Sequence, residues 1–184
     1  MVNRNQKIVL TGGPGSGKST LLEALKESGY LCYKEVSRDV IEQGKEQGME
    51  NYFLEDPLVF SEALFNARLN DYKKASELSF KADKPYIFFD RGLSDVTAYL
   101  ATLNIFQKEW EAVAQEHLYD KVIFLPPWKE IYHTDEQRME SYAKAEELSA
   151  ALYKSYEKQH RDILILPKGN LEERMEILLS SLSL

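Results

Sequence analysis

Short runs of apolar, β-branched and aromatic residues recur along the 184-residue chain at positions 7–11, 31–36, 86–90, 121–125 and 162–166. Each has strand length and little polar interruption, the pattern of strands buried on both faces. Between them the apolar positions fall into helical spacing. A helix is expected over 19–28, carrying Leu21, Leu22 and Leu25 and closed by Gly29, and a short amphipathic one over 38–47. A long helix is expected over 57–79, with Pro57 in its first turn and Leu58, Leu64, Leu69, Tyr72 and Leu78 along it. Further helices are expected over 94–102 with Ser94 as N-cap, over 107–116, from about 140 to 160, and over 171–182. Strands alternating with helices predict an α/β fold, a parallel sheet with helices on both faces. In such folds ligands bind beyond the carboxyl ends of the strands.

Composition narrows the class without changing this picture. The length suits one domain with a substantial core. Hydrophobic residues make up 43%, and no apolar run is long enough to span a membrane. Cys32 is the single cysteine, so a disulfide within the chain and a cysteine-based metal cage are excluded. The spacing of Cys32, His117, His133 and His160 matches no zinc site. A net charge of −7 and no basic stripe disfavour a nucleic-acid partner. The first strand begins almost at once, so no signal peptide is expected and the cytoplasm is the default location.

The chemistry is carried by one contiguous stretch, Gly12-Gly13-Pro14-Gly15-Ser16-Gly17-Lys18-Ser19, followed by Thr20. It is a complete G-x-x-x-x-G-K-[ST] phosphate-binding loop between a strand and a helix. Its glycines let backbone N–H groups curl around phosphates, Lys18 reaches the β and γ oxygens, and the Ser19 hydroxyl ligates Mg²⁺. The helix N-terminus adds its partial positive charge beneath. ATP with Mg²⁺ is the expected nucleotide; the absence of an N-K-x-D element disfavours GTP.

Other candidates sit at the remaining strand ends. Asp90 ends the third strand and is placed to order Mg²⁺; Arg91 beside it either neutralises phosphate charge or pairs with Asp90. Glu35 ends the second strand, where a carboxylate is suited to take a proton from an acceptor hydroxyl. Arg38 either holds an anionic group of the acceptor or salt-bridges. Residues 126–140 are polar and charged, and read as a lid-like segment whose Arg138 would stabilise charge on a transferred phosphoryl group. Trp128 within it is either a stacking platform or a core residue. Lys168 and Gly169, after the last strand, are placed near a nucleotide base.

The chain resembles the small bacterial AAA-family ATPases or kinases related to the ribosylnicotinamide kinase domain. The likeness covers essentially the whole chain and rests on GGPGSGKSTLLEALKESGY, KEVSRDVI, DRGLSD, LPPWKEIYHTDEQR and LPKGNLEERMEIL. It implies a P-loop NTPase three-layer sandwich of nucleoside/nucleotide-kinase type, with a five-stranded parallel sheet in 2-3-1-4-5 order. Hexameric motor machinery is not implied, because the chain shows no C-terminal helical lid domain and no second acid after a Walker-B-type run. A weaker likeness to deoxynucleoside kinases implies Glu35 as general base and Asp90-Arg91-Gly92 as a variant Glu-Arg-Ser. By that likeness Asp95, one residue out of register, would bind substrate. Pro127, Trp128, Asp135 and Arg138 match the lid of ribosylnicotinamide kinases.

Three functions compete at this level. One is a kinase that transfers the γ-phosphoryl group of ATP to a nucleoside-like or other small metabolite. The second is a regulatory nucleotide switch with slow hydrolysis and a macromolecular partner. The third, a nucleic-acid-end kinase, conflicts with the acidic balance. The apolar face of the long helix would serve either a homodimer or the chain's own core.

Overall fold

The computed structural model describes residues 4–46, 56–131, 141–160 and 162–182. Five strands form one parallel sheet: β1 (Gln6–Thr11), β2 (Leu31–Tyr33), β3 (Tyr86–Asp90), β4 (Lys121–Phe124) and β5 (Ile163–Ile165). Their spatial order is β2-β3-β1-β4-β5, as the resemblance implied. The helices are α1 (Lys18–Glu27), α2 (Ser37–Glu46), α3 (Pro57–Glu77), α4 (Leu93–Thr102), α5 (Lys108–Glu116), α6 (Tyr142–Glu157) and α7 (Leu171–Leu182), with a 3₁₀ turn at Lys129–Ile131.

Central strand β1 is buried from Lys7 to Thr11 because both its faces are covered. Ile8 and Leu10 point to one side, where Phe88, Ile123, Leu21, Leu25 and Leu178 complete a core beneath α1 and α7. Val9 points to the other, joining Phe89, Val122, Ala75, Tyr119 and Tyr156 from α3, α6 and the loop before β4. A third cluster joins α2, α3, α4 and α5 through Val40, Phe60, Leu64, Phe65, Val96 and Ala114. Leu64 therefore belongs to the chain's own core, with Leu69 packed against it, while Leu58 and Leu78 near the helix ends are exposed.

Local sequence sets the element ends. The Asp56 side chain accepts a hydrogen bond from the Val59 N–H and Pro57 occupies the first turn, fixing the start of α3. Two expectations are corrected. Strand β2 stops at Tyr33, so Glu35 lies just past the strand and not on it. Helix α4 begins at Leu93 with Gly92 at the N-cap, and Ser94 is buried inside its first turn. Asp95 takes over the capping chemistry by accepting from the Gly92 N–H at 2.9 Å. Ser94 instead donates to Gln159 Oε1 at 2.9 Å, tying α4 to the chain just beyond α6.

Candidate phosphotransfer site

Parallel register puts the chemistry at one edge. Leu10 of β1 pairs with Asp90 of β3, so the phosphate-binding loop leaves β1 beside the Asp90-Arg91 corner. The Arg91 N–H donates to the Leu10 carbonyl at 2.9 Å, extending the ladder by one residue. On the other side the Leu125 N–H donates to the Thr11 carbonyl at 2.8 Å. Gly12 is squeezed between these neighbours: a Cβ there would lie 2.1 Å from the Leu125 carbonyl oxygen, and its φ is +139°. Only glycine fits.

Inside the loop the Lys18 ammonium is buried and folded onto its own backbone. It donates to the carbonyls of Gly12 at 2.9 Å and Gly13 at 2.8 Å, and to Ser16 Oγ at 3.1 Å. Burial, with Arg91 adding like-charge repulsion, lowers its pKa. Ser16 Oγ donates to the Gly13 carbonyl at 2.9 Å. Ser19 and Thr20 are exposed at the mouth. Arg174 of α7 braces the loop from outside. It donates to the Ser16 carbonyl at 3.1 Å and lies so close to Gly17 that a Cβ would fall 2.6 Å from it. Its guanidinium lies over the Trp128 ring, 5.7 Å from the centroid.

Glu35 is held by two arginines. Its Oε1 accepts from Arg68 Nη2 at 2.8 Å and from the Ser37 N–H at 3.2 Å, and its Oε2 meets Arg91 Nε at 2.7 Å. Burial alone would raise its pKa, but the two guanidiniums outweigh that and hold it near 2. Arg91 also donates to Gly12 O at 3.2 Å and to Asp95 Oδ1 at 3.0 Å. It pairs with Glu35 and Asp95, then, and not with its neighbour Asp90. Its φ of +71° is a left-handed conformation that costs a non-glycine residue about 1 kcal/mol or more, and this web of contacts offsets it.

Asp95 is buried and fully committed: Thr11 Oγ1 donates to it at 2.9 Å and the Tyr156 hydroxyl at 2.7 Å, besides Gly92 and Arg91. With four donors around it, Asp95 joins β1, α4 and α6 beneath the site. Asp90 is the opposite case. It is 7% exposed, and its Oδ1 has no hydrogen-bond partner among the described residues. Burial raises its pKa, with Glu35 acting in the same sense against the pull of Lys18 and Arg91.

That orphaned oxygen fits a Mg²⁺ site. A buried carboxylate oxygen without a donor is costly unless a cation or water completes it, and Ser19 supplies a hydroxyl of the kind Mg²⁺ takes. Among the described residues no cluster of three or more His, Cys, Asp or Glu side chains forms a protein-only metal cage. Such a cage is not needed where phosphate oxygens complete the shell.

Beside Glu35 opens a cavity of about 140 Å³. Glu35, Arg68, Arg91 and Asp95 form its polar end, and Phe60 and Leu152 are among its apolar walls. Arg38 is exposed on α2 and does not line it. Trp128 lies against Arg174 beside the phosphate-binding loop rather than in this cavity. Lys168 Nζ stands 3.8 Å from Glu130 Oε2, linking the loop after β5 to the start of the lid-like segment. Arg138 and Asp135 lie outside the described residues, as do residues 132–140 of that segment.

Two arginines escape sequence reading. Arg68 is on the inward face of α3, one turn after Leu64, and is 6% exposed. Arg174 is buried on α7 one turn before Leu178. The signal for both is a lone arginine occupying a core position of an amphipathic helix.

The model of the AAA domain family matches residues 7–174. No curated protein is similar enough to match. Among solved structures, a deoxyadenosine kinase from M. mycoides bound to its products superposes with a TM-score of 0.64 at 20% identity, covering 96% of this chain and 98% of that one. A NadR protein in complex with NAD and AMP-PNP gives 0.67 at 12% identity, over 98% of this chain and 50% of that one. Shikimate kinase from Aquifex aeolicus gives 0.58 at 19% identity, with 96% of each chain covered. These likenesses establish the fold.

Proposed function

We propose that this chain, which belongs to the AAA domain family, is a small-molecule kinase that uses ATP and Mg²⁺. The observation that carries the reading is the Glu35 carboxylate, held by Arg68 and Arg91 at the polar end of a cavity of about 140 Å³ beside the phosphate-binding loop. A switch with water as its only acceptor has no use for such a cavity.

In this reading the loop N–H groups and Lys18 hold the triphosphate, Lys18 exchanging its contacts with Gly12 and Gly13 for phosphate oxygens. Ser19 and Asp90 would hold Mg²⁺, which neutralises phosphate charge when bound. Glu35 orients the acceptor hydroxyl by accepting its hydrogen bond. As the acceptor oxygen bonds to the γ-phosphorus, the bond from that phosphorus to the bridging oxygen breaks and ADP leaves with the electron pair. Glu35 takes the hydroxyl proton. A carboxylate held near pKa 2 is a weak base, so the proton moves late, after the oxygen has become acidic through its new bond to phosphorus. Such timing suits a loose transition state in which positioning and electrostatics dominate. Arg91, bridging Glu35 and the loop, and Arg138 of the lid-like segment stabilise charge on the transferring group. Asp95 acts through Arg91 and Thr11 as a positioning residue.

ATP consumption with Mg²⁺, measured alone and with a panel of nucleosides and other small alcohols, tests the reading. Acceptor-dependent turnover with a phosphorylated product supports it. Slow hydrolysis that no acceptor stimulates sinks it in favour of the regulatory NTPase.

A further inference from the structure

Two helices press on the phosphate-binding loop, each at a glycine. A Cβ on Gly13 would lie 2.8 Å from the Ala145 carbonyl oxygen of α6, and one on Gly17 would lie 2.6 Å from Arg174 Nη1 of α7. The first contact is backbone against backbone. The second is made by a charged side chain to which phosphotransfer, as described above, gives no role. Helix α7 holds that side chain firmly. Asn170 Oδ1 caps its first turn by accepting from the Glu173 N–H at 2.9 Å. Leu178, one turn beyond Arg174, shares a core with Leu21 and Leu25 of α1. Arg174 itself is 5% exposed.

Its Nη2 donates to the Ser16 carbonyl at 3.1 Å. That carbonyl and the Gly17 N–H belong to one peptide group, which is planar and trans, so the two point in opposite directions. Holding the carbonyl toward α7 therefore directs the Gly17 N–H away from it. The orientation needs holding, because Gly17 stands at φ +81° and a glycine reaches other conformations at little cost. A peptide turned the other way would present a carbonyl oxygen where the N–H now points, and a carbonyl repels an anion. The Ser16 side chain is tied into the same loop. Its Oγ accepts from Lys18 Nζ at 3.1 Å and donates to the Gly13 carbonyl at 2.9 Å. The Trp128 ring, 5.7 Å from the guanidinium, adds a cation–π contact that helps to keep Arg174 in place.

We propose that Arg174 is a positioning residue for nucleotide binding: its bond to the Ser16 carbonyl keeps the Ser16–Gly17 peptide turned so that the Gly17 N–H is offered to a phosphate oxygen. The inference rests on the nucleotide-binding part of the kinase reading. It concerns the phosphates alone, so no acceptor enters its test.

The test is calorimetric titration with AMP-PNP and Mg²⁺, at a temperature where each protein is folded by circular dichroism. It is paired with the amide resonance of Gly17 in ¹H–¹⁵N spectra. Arg174→Met keeps an unbranched stem and removes the donors. It is expected to weaken AMP-PNP about tenfold, the order that loss of one charge-assisted hydrogen bond implies. Arg174→Lys, which keeps a charged donor, is expected to recover most of that loss. In the wild type the Gly17 amide should shift on AMP-PNP binding, and in R174M that shift should be lost. A merely structural arginine would lower the melting temperature in R174M and leave both affinity and the Gly17 shift unchanged, which would overturn the proposal. Equal losses in R174M and R174K would also overturn it. So would a wild-type Gly17 amide that ignores bound AMP-PNP, a result that needs no substitution to fold. Failure of the wild type to bind AMP-PNP at all would instead remove the kinase reading, and this assignment with it.

Discussion

Arg68 and Glu35, thirty-three residues apart in the chain, meet at 2.8 Å at the polar end of the cavity. The pair links the long helix α3 to the segment after β2. Arg68 also donates to the Gly92 carbonyl at 3.2 Å, so one guanidinium sets the relative position of α3, Glu35 and the start of α4.

Replacing Arg68 by Leu leaves the Glu35 carboxylate half-buried with Arg91 as its only side-chain partner among the described residues, and leaves the Gly92 carbonyl with the Asp95 N–H alone. Breaking a buried pair in this way typically costs about 3 kcal/mol or more. Chemical denaturation should show a loss of that order. A loss under about 1 kcal/mol would mean the pair contributes no more than an exposed one.

Acid should expose the same pair. Glu35 has a folded pKa near 2 against an ordinary 4.5. Because the folded value is the lower, the unfolded chain binds more protons, and stability falls as the pH drops. The contribution is fully present above about pH 4.5 and is lost on approaching about pH 2. Linkage makes it on the order of 3 kcal/mol. The stability difference between wild type and Glu35→Gln, followed by urea unfolding, should shrink through that window and stay constant above it.

Activity should respond to the same substitution in a different way. Glu35→Gln keeps the size of the side chain but removes both the proposed proton acceptor and one ionic partner of Arg91. The rate of phosphotransfer to an acceptor is expected to fall about 100-fold or more, typical of a lost general base. Binding of AMP-PNP at the phosphate loop should change far less. Normal transfer by E35Q would refute the base assignment.

Gly12→Ala tests the loop itself. The new methyl would sit 2.1 Å from the Leu125 carbonyl oxygen, at a φ of +139° that L-residues avoid. Backbone must move, and nucleotide affinity should drop by more than tenfold even where the protein still folds. Unchanged AMP-PNP affinity would show that β1 and β4 give way more easily than their register suggests.

Chemistry carried by contiguous residues is legible in the chain alone. The phosphate-binding loop is legible because eight successive residues act through their own backbone, so no distant contact is needed to recognise them. The five strands are legible because burial on both faces forces near-continuous apolar runs, and the sheet order followed from the family resemblance. Whatever depends on residues meeting across elements emerges only from the packed fold. Periodicity treats Arg68 and Arg174 as polar interruptions of apolar stripes; only packing reveals that each brings a charge to the site. The sequence shows nothing of the partners of Asp95, which folding surrounds with Thr11, Arg91, Gly92 and Tyr156 at one end of the cavity. Ser94 read as a cap, yet the chain turns one residue pair earlier because Gly92 and Asp95 satisfy the helix end together. A buried charge is stabilised only by partners at hydrogen-bond distance, and those partners come from segments that a one-dimensional pattern keeps apart.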